Sequence, residues 1–269
     1  MNKATVRRWA PWLALVVVFA LATSALSWWQ FDRRNQRLDR INQVVANYDL
    51  VPQPFDQIDW SINPDGKSDQ EWTPAIVTGE YLPQEAMLVR NRPLNGQAGF
   101  LQLVPLRLAS GEILIVERGW LIASSDLTEP ASNPLPQPGY HELVVRLRVG
   151  EPDLGREQAA TLASIDLTEV ASRLSRLGPV ITDRYGRVVT EQPSYPEAPL
   201  GMPKPSLDEG NHLSYAIQWI IFGIMAFVAF FWAYRNDRRL LREAAGLAQP
   251  KLKRKTRADL DAEFEDANQ

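Results

Sequence analysis

Two uninterrupted apolar runs constrain this chain more than anything else in it. Residues 10–31 carry no charged side chain, and residues 215–234 carry Gln218 as the one strongly polar group. A helix rises ~1.5 Å per residue, so some 20 residues cross the ~30 Å hydrocarbon layer of a bilayer. Trp9, Trp12, Trp28 and Trp29 stand at the two ends of the first run, at the depth where aromatic rings favour the headgroup zone. A cleaved signal peptide is the alternative for the first run: the start is basic and Ala20-Leu21-Ala22 resembles a cleavage site. The run is longer than the usual ~7–15-residue apolar core of a signal, so an uncleaved anchor is expected. For the second run the alternative is a buried core helix, which its length and unbroken apolar character oppose.

Charge sets the expected orientation. Lys3, Arg7 and Arg8 precede the first run, and Arg235, Arg238, Arg239 and Arg242 follow the second, reinforced by Lys251, Lys253, Arg254 and Lys255. Basic flanks stay on the cytoplasmic side, and two crossings return the chain to the side on which it began. Arg33, Arg34, Arg37 and Arg40 oppose this but are outweighed by the tail. The expected organisation is therefore residues 1–9 cytoplasmic, 10–31 the first transmembrane helix, 32–213 an extracytoplasmic domain, 214–234 the second transmembrane helix, and 235–269 a charged, disordered cytoplasmic tail, in a plasma membrane. Residues 32–213 hold 17 Lys and Arg against 25 Asp and Glu, a net of −8, whereas residues 235–257 are net +7. The basic part of the tail either contacts anionic headgroups or serves as a topology signal alone. Cysteine is absent, which excludes disulfides, thiolate metal sites and thiol redox chemistry.

Within residues 32–213 the pattern reads as α+β with a mainly antiparallel sheet, since no βαβ alternation occurs. Residues 32–48 continue as a helix, with Leu38, Ile41, Val45 and Tyr48 at helical spacing, until Pro52 and Pro54. Residues 75–80 and 86–90 are short strands, and residues 100–108 and 113–122 form a hairpin about a Gly-containing turn. Residues 140–149 alternate, with His141, Leu143, Val145, Leu147 and Val149 on one face. Residues 180–182 and 187–190 read as a second hairpin. One soluble helix is expected over 167–177, opened by a capping box of Asp166 and Glu169 and stopped by Gly178-Pro179. Residues 192–208, with Pro193, Pro196, Pro199, Pro203 and Pro205, read as an extended linker.

The chain contains no Walker loop, no G-x-S-x-G, no GxGxxG following a strand and no zinc-ligand spacing, so nothing marks it as an enzyme. Three islands are more specific: residues 29–34 (WQFDRR), residues 118–120 (RGW) and residues 212–219 (HLSYAIQW). The first and third lie where the two apolar runs meet the outer interface, so they are expected to be neighbours. His212, Tyr215 and Trp219 share one helix face. Gln218 lies about a turn into the apolar run, where a polar side chain usually faces a partner. On residues alone, an interfacial aromatic belt with a solvated His212 is the simpler account.

These islands resemble the surfeit locus protein 1 family, assembly factors of cytochrome c oxidase. Its first signature, built on Gly, Trp-Gln, Arg and a closing Lys, is matched at residues 27–37, with Ser27 in place of the glycine and Arg37 in place of the lysine. Its middle is matched by Gly79-Glu80-Tyr81, Arg92-Pro93, Gly99-Phe100 and Arg118-Gly119-Trp120, and its closing His-Leu-x-Tyr-Ala-x-Gln-Trp is present in full at residues 212–219. The resemblance covers residues 10–235. It implies two membrane helices around an extracytoplasmic domain, and a non-enzymatic role: binding haem a and assisting its insertion into oxidase subunit I. A haem-free scaffold that stabilises oxidase intermediates is the alternative. The implied iron ligand is His212. Trp29 and Trp219 are expected to pack on the macrocycle, Arg33, Arg34 and Arg118 to pair with its propionates, and Tyr215 and Gln218 to line the same site. Implied partners are oxidase subunit I, haem a synthase and the lipid bilayer, with no nucleic acid.

Overall fold

A computed structural model describes residues 3–155 and 160–247, with side chains from residue 5 onward. The chain forms two units: Arg37–Glu209, and the segments on either side of it.

The Arg37–Glu209 unit is built on seven strands: β1 (Gln53–Pro54), β2 (Pro74–Tyr81), β3 (Met87–Val89), β4 (Gly99–Leu108), β5 (Ile113–Ile122), β6 (Gly139–Arg148) and β7 (Tyr185–Gln192). Their order is β1-β2-β6-β7-β5-β4-β3, and β2 also pairs with β4. That extra pairing closes β2, β6, β7, β5 and β4 into a barrel, leaving β1 and β3 outside the ring. All pairings are antiparallel except β1 with β2 and β5 with β7. The sheet is mainly antiparallel, as the alternating strands lead one to expect. Closure is the added element, and it removes the unpaired edges an open sheet would present.

The barrel explains why β4 and β5 read as continuous apolar runs. Val104, Leu106, Leu114 and Val116 face inward onto Val77, Leu143, Val145 and Leu147. Leu101, Leu103, Ile113 and Ile115 face outward and are covered by Leu167, Val170 and Leu174 of α2 (Leu167–Leu174). Strands buried on both faces lose the polar alternation of half-exposed ones. Helix α2 opens where Asp166 accepts from the Thr168 and Glu169 amides. Glu169 does not complete a capping box; its carboxylate takes Arg173, one turn on, at 2.5 Å. Regular helix ends at Leu174 rather than Leu177, although a further turn bonds the Leu177 amide to the Leu174 carbonyl.

Two further expectations are corrected. Residues 180–182 do not form a hairpin with β7. Ile181 and Pro179 bond to Ile113 instead, and β7 is drawn to β6 and β5, where Arg187 meets the buried Glu117 at 3.0 Å. In the helical segment after residue 32, Val44 is buried and Val45 exposed. The docking face is fixed by the Gln43 and Asn47 side-chain amides, which bond the carbonyls of Ser68, Asp69 and Glu71.

One end of the barrel interior is polar. The Arg118 guanidinium meets Glu191 in a two-pronged pair (2.6 and 3.0 Å), donates to the Gln102 side chain at 2.8 Å and to the Pro134 carbonyl at 3.0 Å. Its side chain is 1% exposed and that of Glu191 8%. Tyr81 donates to Glu191 at 3.3 Å; burial, with the Glu191 charge beside it, pushes the Tyr81 phenol well above its ordinary pKa and keeps it protonated. His141 lies over Tyr81 and bonds the Tyr195 hydroxyl at 2.6 Å, so it belongs to this closure. Gly119 follows Arg118 with φ +151°, and a Cβ there would come 2.5 Å from the Leu200 carbonyl oxygen. Gly99 leaves room for the Trp120 indole, which donates to the Arg92 carbonyl at 2.6 Å. The middle islands of the sequence thus converge on one structural feature.

The other unit pairs two helices, α1 (Lys3–Asn47, in its portion before Arg37) and α3 (His212–Ala244), each long and apolar enough to cross a membrane. They run antiparallel: Trp9 packs edge-on against Phe230 and Tyr234 (5.6 Å each), and Ser27 donates to the Ala216 carbonyl at 3.0 Å. Thr23, Ser27 and Ala216 are buried, and a Cβ on Gly223 would come 2.9 Å from the Thr23 hydroxyl. Small residues let the backbones approach closely, which is how apolar helices associate where water provides no drive. Ser27, standing where the family signature has glycine, preserves that approach and adds a hydrogen bond. Helix α3 passes the expected boundary at 234 and continues to Ala244, helped by Arg239 and Glu243 at i,i+4. The remainder of the expected tail, residues 248–269, lies outside the described residues.

Two outcomes are expected. Glu191→Leu leaves Arg118 buried without its counter-charge and costs roughly 3–5 kcal/mol, whereas Arg118→Met with Glu191→Leu recovers most of it; denaturant unfolding of the full chain, followed by tryptophan fluorescence, measures both. In this cysteine-free chain, Ser27→Cys with Ala216→Cys should cross-link within one molecule on mild oxidation, as a mobility shift on a gel reports. Failure to cross-link would contradict the helix pairing.

Candidate functional site

His212 is the first residue of α3, half-buried, and its Nδ1 lies 2.9 Å from Oε1 of Gln30 on α1. The Gln30 side-chain oxygen can only accept, so Nδ1 is the donor in this contact and Nε2 lies outside it. Among the described residues Nε2 has no hydrogen-bond partner. The neighbouring Gly210 places no side chain over it: even a Cβ built there would lie 3.8 Å away. A histidine with one nitrogen held by an amide or carbonyl and the other presenting its lone pair is the form that ligates a metal.

The local fold follows from the sequence. Gln30 comes one turn after Ser27 on α1, and His212 comes one turn before Ala216 on α3. Since Ser27 and Ala216 meet in the seam, antiparallel geometry brings their neighbours, Gln30 and His212, together at the next level. Both residues lie where the apolar stretch gives way to charge, with Arg33 three residues beyond Gln30 and Glu209 three before His212.

The other expected residues on these two helices fall into three groups. Trp29 and Tyr215 are about half exposed, and Trp219 is half-buried with Phe222 edge-on at 5.8 Å. They supply aromatic faces on both helices. Arg33 sits one turn beyond Trp29, its guanidinium carbon 5.9 Å from the ring, and reaches Gln36 at 3.5 Å. Arg34 is half-buried on α1. Gln218 is exposed and does not lie in the helix seam, which is formed through Ala216 and Gly223.

Arg118 is the correction. It was expected to bind a propionate, but its Nε, Nη1 and Nη2 are all engaged inside the β domain, by Glu191, Gln102 and the Pro134 carbonyl. Its charge is compensated within the fold, and its role is to close the barrel. His141 likewise has both ring nitrogens occupied, by the Gly139 carbonyl at 2.8 Å and by Tyr195. No cluster of three or more metal-ligating side chains occurs among the described residues.

Gln30 and Ser27 were not assigned site roles from the sequence. The available signal was positional: a polar amide directly after an apolar run, at the depth where the only histidine near the second run stands.

The donor chemistry fits a haem iron. An imidazole held through Nδ1 with Nε2 turned outward is a common axial ligand, exposed indole and phenol rings suit a macrocycle, and Arg33 is a cation suited to a carboxylate.

A model of the SURF1 family matches residues 17–224. Uncharacterized SURF1-like proteins of Mycobacterium tuberculosis and Mycobacterium bovis are each 30% identical over 253 residues, covering 89% of this chain and 89% of theirs. The cytochrome oxidase assembly protein SHY1 of Saccharomyces cerevisiae is 29% identical over 144 residues, covering 51% of this chain and 35% of that protein. The family match runs from within the apolar stretch of α1, through the whole barrel, to within that of α3, and the chain belongs to the SURF1 family.

Proposed function

We propose that the chain is a membrane-anchored assembly factor for cytochrome c oxidase that holds haem a by His212 and assists its insertion into subunit I. The observation that carries this reading is the His212–Gln30 contact, which leaves Nε2 as the outward donor of a half-buried imidazole. The oxidase connection is supported by membership of the SURF1 family and by the similarity to the yeast cytochrome oxidase assembly protein SHY1.

In this reading α1 and α3 cross the plasma membrane with both termini cytoplasmic and the barrel outside. The basic flanks, Arg7 and Arg8 before α1's apolar stretch and Arg235, Arg238 and Arg239 after that of α3, support the orientation. His212 and Gln30 then lie near the outer interface, where an amphipathic group with an apolar ring and charged carboxylates has both environments within reach. Bound haem would supply an iron with an open coordination position; the chain's own residues do the rest. Gln30 fixes the imidazole tautomer and ring plane. Trp29, Tyr215 and Trp219 offer apolar faces, and Arg33 and Arg34 offer positive charge. The chain performs no turnover in this role, and oxidase subunit I and haem a synthase are the partners such a carrier would meet.

A haem-free scaffold is the second reading, favoured by the exposed apolar sides of both helices, which other membrane helices would cover.

One experiment separates them. Purified after co-expression with the enzymes that make haem a, the wild-type chain should show a haem Soret band, His212→Ala should lose it, and Gln30→Ala should bind about 10–100-fold more weakly. A colourless wild-type chain that still restores oxidase activity to a deletion strain supports the scaffold. Equal haem in wild type and His212→Ala removes the ligand assignment.

A further inference from the structure

The end of the helix pair remote from His212 carries a second feature. Val6, Trp9 and Leu13 of α1 and Phe230, Phe231 and Tyr234 of α3 line a groove of about 270 Å³ with almost wholly apolar walls. Its shape is set by aromatic packing: Trp9 stands edge-on to Phe230 and Tyr234, and Phe230 stacks on Tyr234 at 6.4 Å.

The mouth of the groove is basic. Asp237 is consumed locally, accepting from Trp9 Nε1 at 3.1 Å and pairing with Arg8. Glu243 is consumed by Arg239 at 3.4 Å. Among the described residues this leaves Arg7, Arg235 and Arg238 as surplus positive charge, all three exposed, with Arg238 leaning on the Tyr234 ring that forms one wall (5.9 Å). An apolar slot between helices, with exposed arginines on the adjoining turns of both, complements one class of molecule present at that depth: a lipid with an acyl chain and an anionic phosphate headgroup.

We propose that this groove binds one anionic phospholipid, its acyl chain between Trp9 and Phe230 and its phosphate at Arg7 and Arg238. The inference rests on the membrane-inserted reading of α1 and α3 and is independent of haem.

The test reconstitutes the full chain into phosphatidylcholine vesicles containing an equal mole fraction of brominated phosphatidylglycerol or brominated phosphatidylcholine. Bromine quenches nearby tryptophan, and the difference between the wild type and Trp9→Phe isolates the signal at the groove. That signal should be quenched at least about fivefold more effectively by the brominated phosphatidylglycerol. Arg7→Gln with Arg238→Gln should remove the preference while leaving the chain in the membrane. Equal quenching by the two lipids, or no Trp9 signal with either, overturns the proposal, as does a preference that survives the double variant. Vesicle flotation in alkaline carbonate separates the two levels: a chain that floats but shows no lipid preference loses only the groove, whereas a chain washed from the vesicles loses the membrane reading as well.

Discussion

The close approach of α1 and α3 is the constraint from which the candidate site derives. Thr23, Ser27, Ala216 and Gly223 place little volume between the backbones, and the Ser27 hydroxyl bridges to the Ala216 carbonyl. Helix pairs in an apolar medium gain nothing from excluding water, so van der Waals contact and such hydrogen bonds must supply the association. Once Ser27 and Ala216 are in register, the next turn on each helix has no freedom to choose its neighbour: Gln30 meets His212. A bulky residue at any of the four seam positions would separate the imidazole from the amide that fixes its tautomer, although it touches neither.

The β domain uses charge differently. In the barrel, Arg118 and Glu191 are buried together with Tyr81 and Gln102 around them, so that each polar atom of the guanidinium is answered. Such a network contributes little net stability compared with an apolar core, but it specifies one arrangement, because removing either partner leaves an uncompensated charge. The remaining elements of the family pattern in this domain serve that arrangement. Gly119 lets β5 pass the Leu200 carbonyl, and Gly99 admits the indole of Trp120. Residues that look like a functional motif in one dimension are here the closure of a barrel.

Much of the fold was legible because its signals are local. The two apolar runs, the β4–β5 hairpin, the alternation in β6 and the Asp166 cap each depend on neighbours within a few residues. What could not be read was non-local. Barrel closure rests on β2 meeting β4 and on two residue pairs joining β5 to β7, and no pattern within a strand announces either. The expected hairpin at 180–190 failed for the same reason, since a sheet partner distant in sequence outcompeted the adjacent one. At the candidate site, His212 stood out through the family's closing signature. Gln30 is an amide whose meaning depends on the register of two helices separated by the whole barrel domain. Arg118 was misplaced because an arginine flanked by Gly and Trp carries no mark of its burial; only the fold brings Glu191 to it.

The proposed carrier role depends on one atom, Nε2 of His212, binding iron. Electron–nuclear double resonance of the ferric, haem-loaded full chain, prepared with 15N-histidine, tests this most directly, because the chain has two histidines and one of them is sealed in the barrel. Iron ligation by His212 requires a 15N coupling to iron that persists in His141→Phe and disappears in His212→Ala. A coupling that survives His212→Ala, or its absence from the loaded wild type, would contradict it.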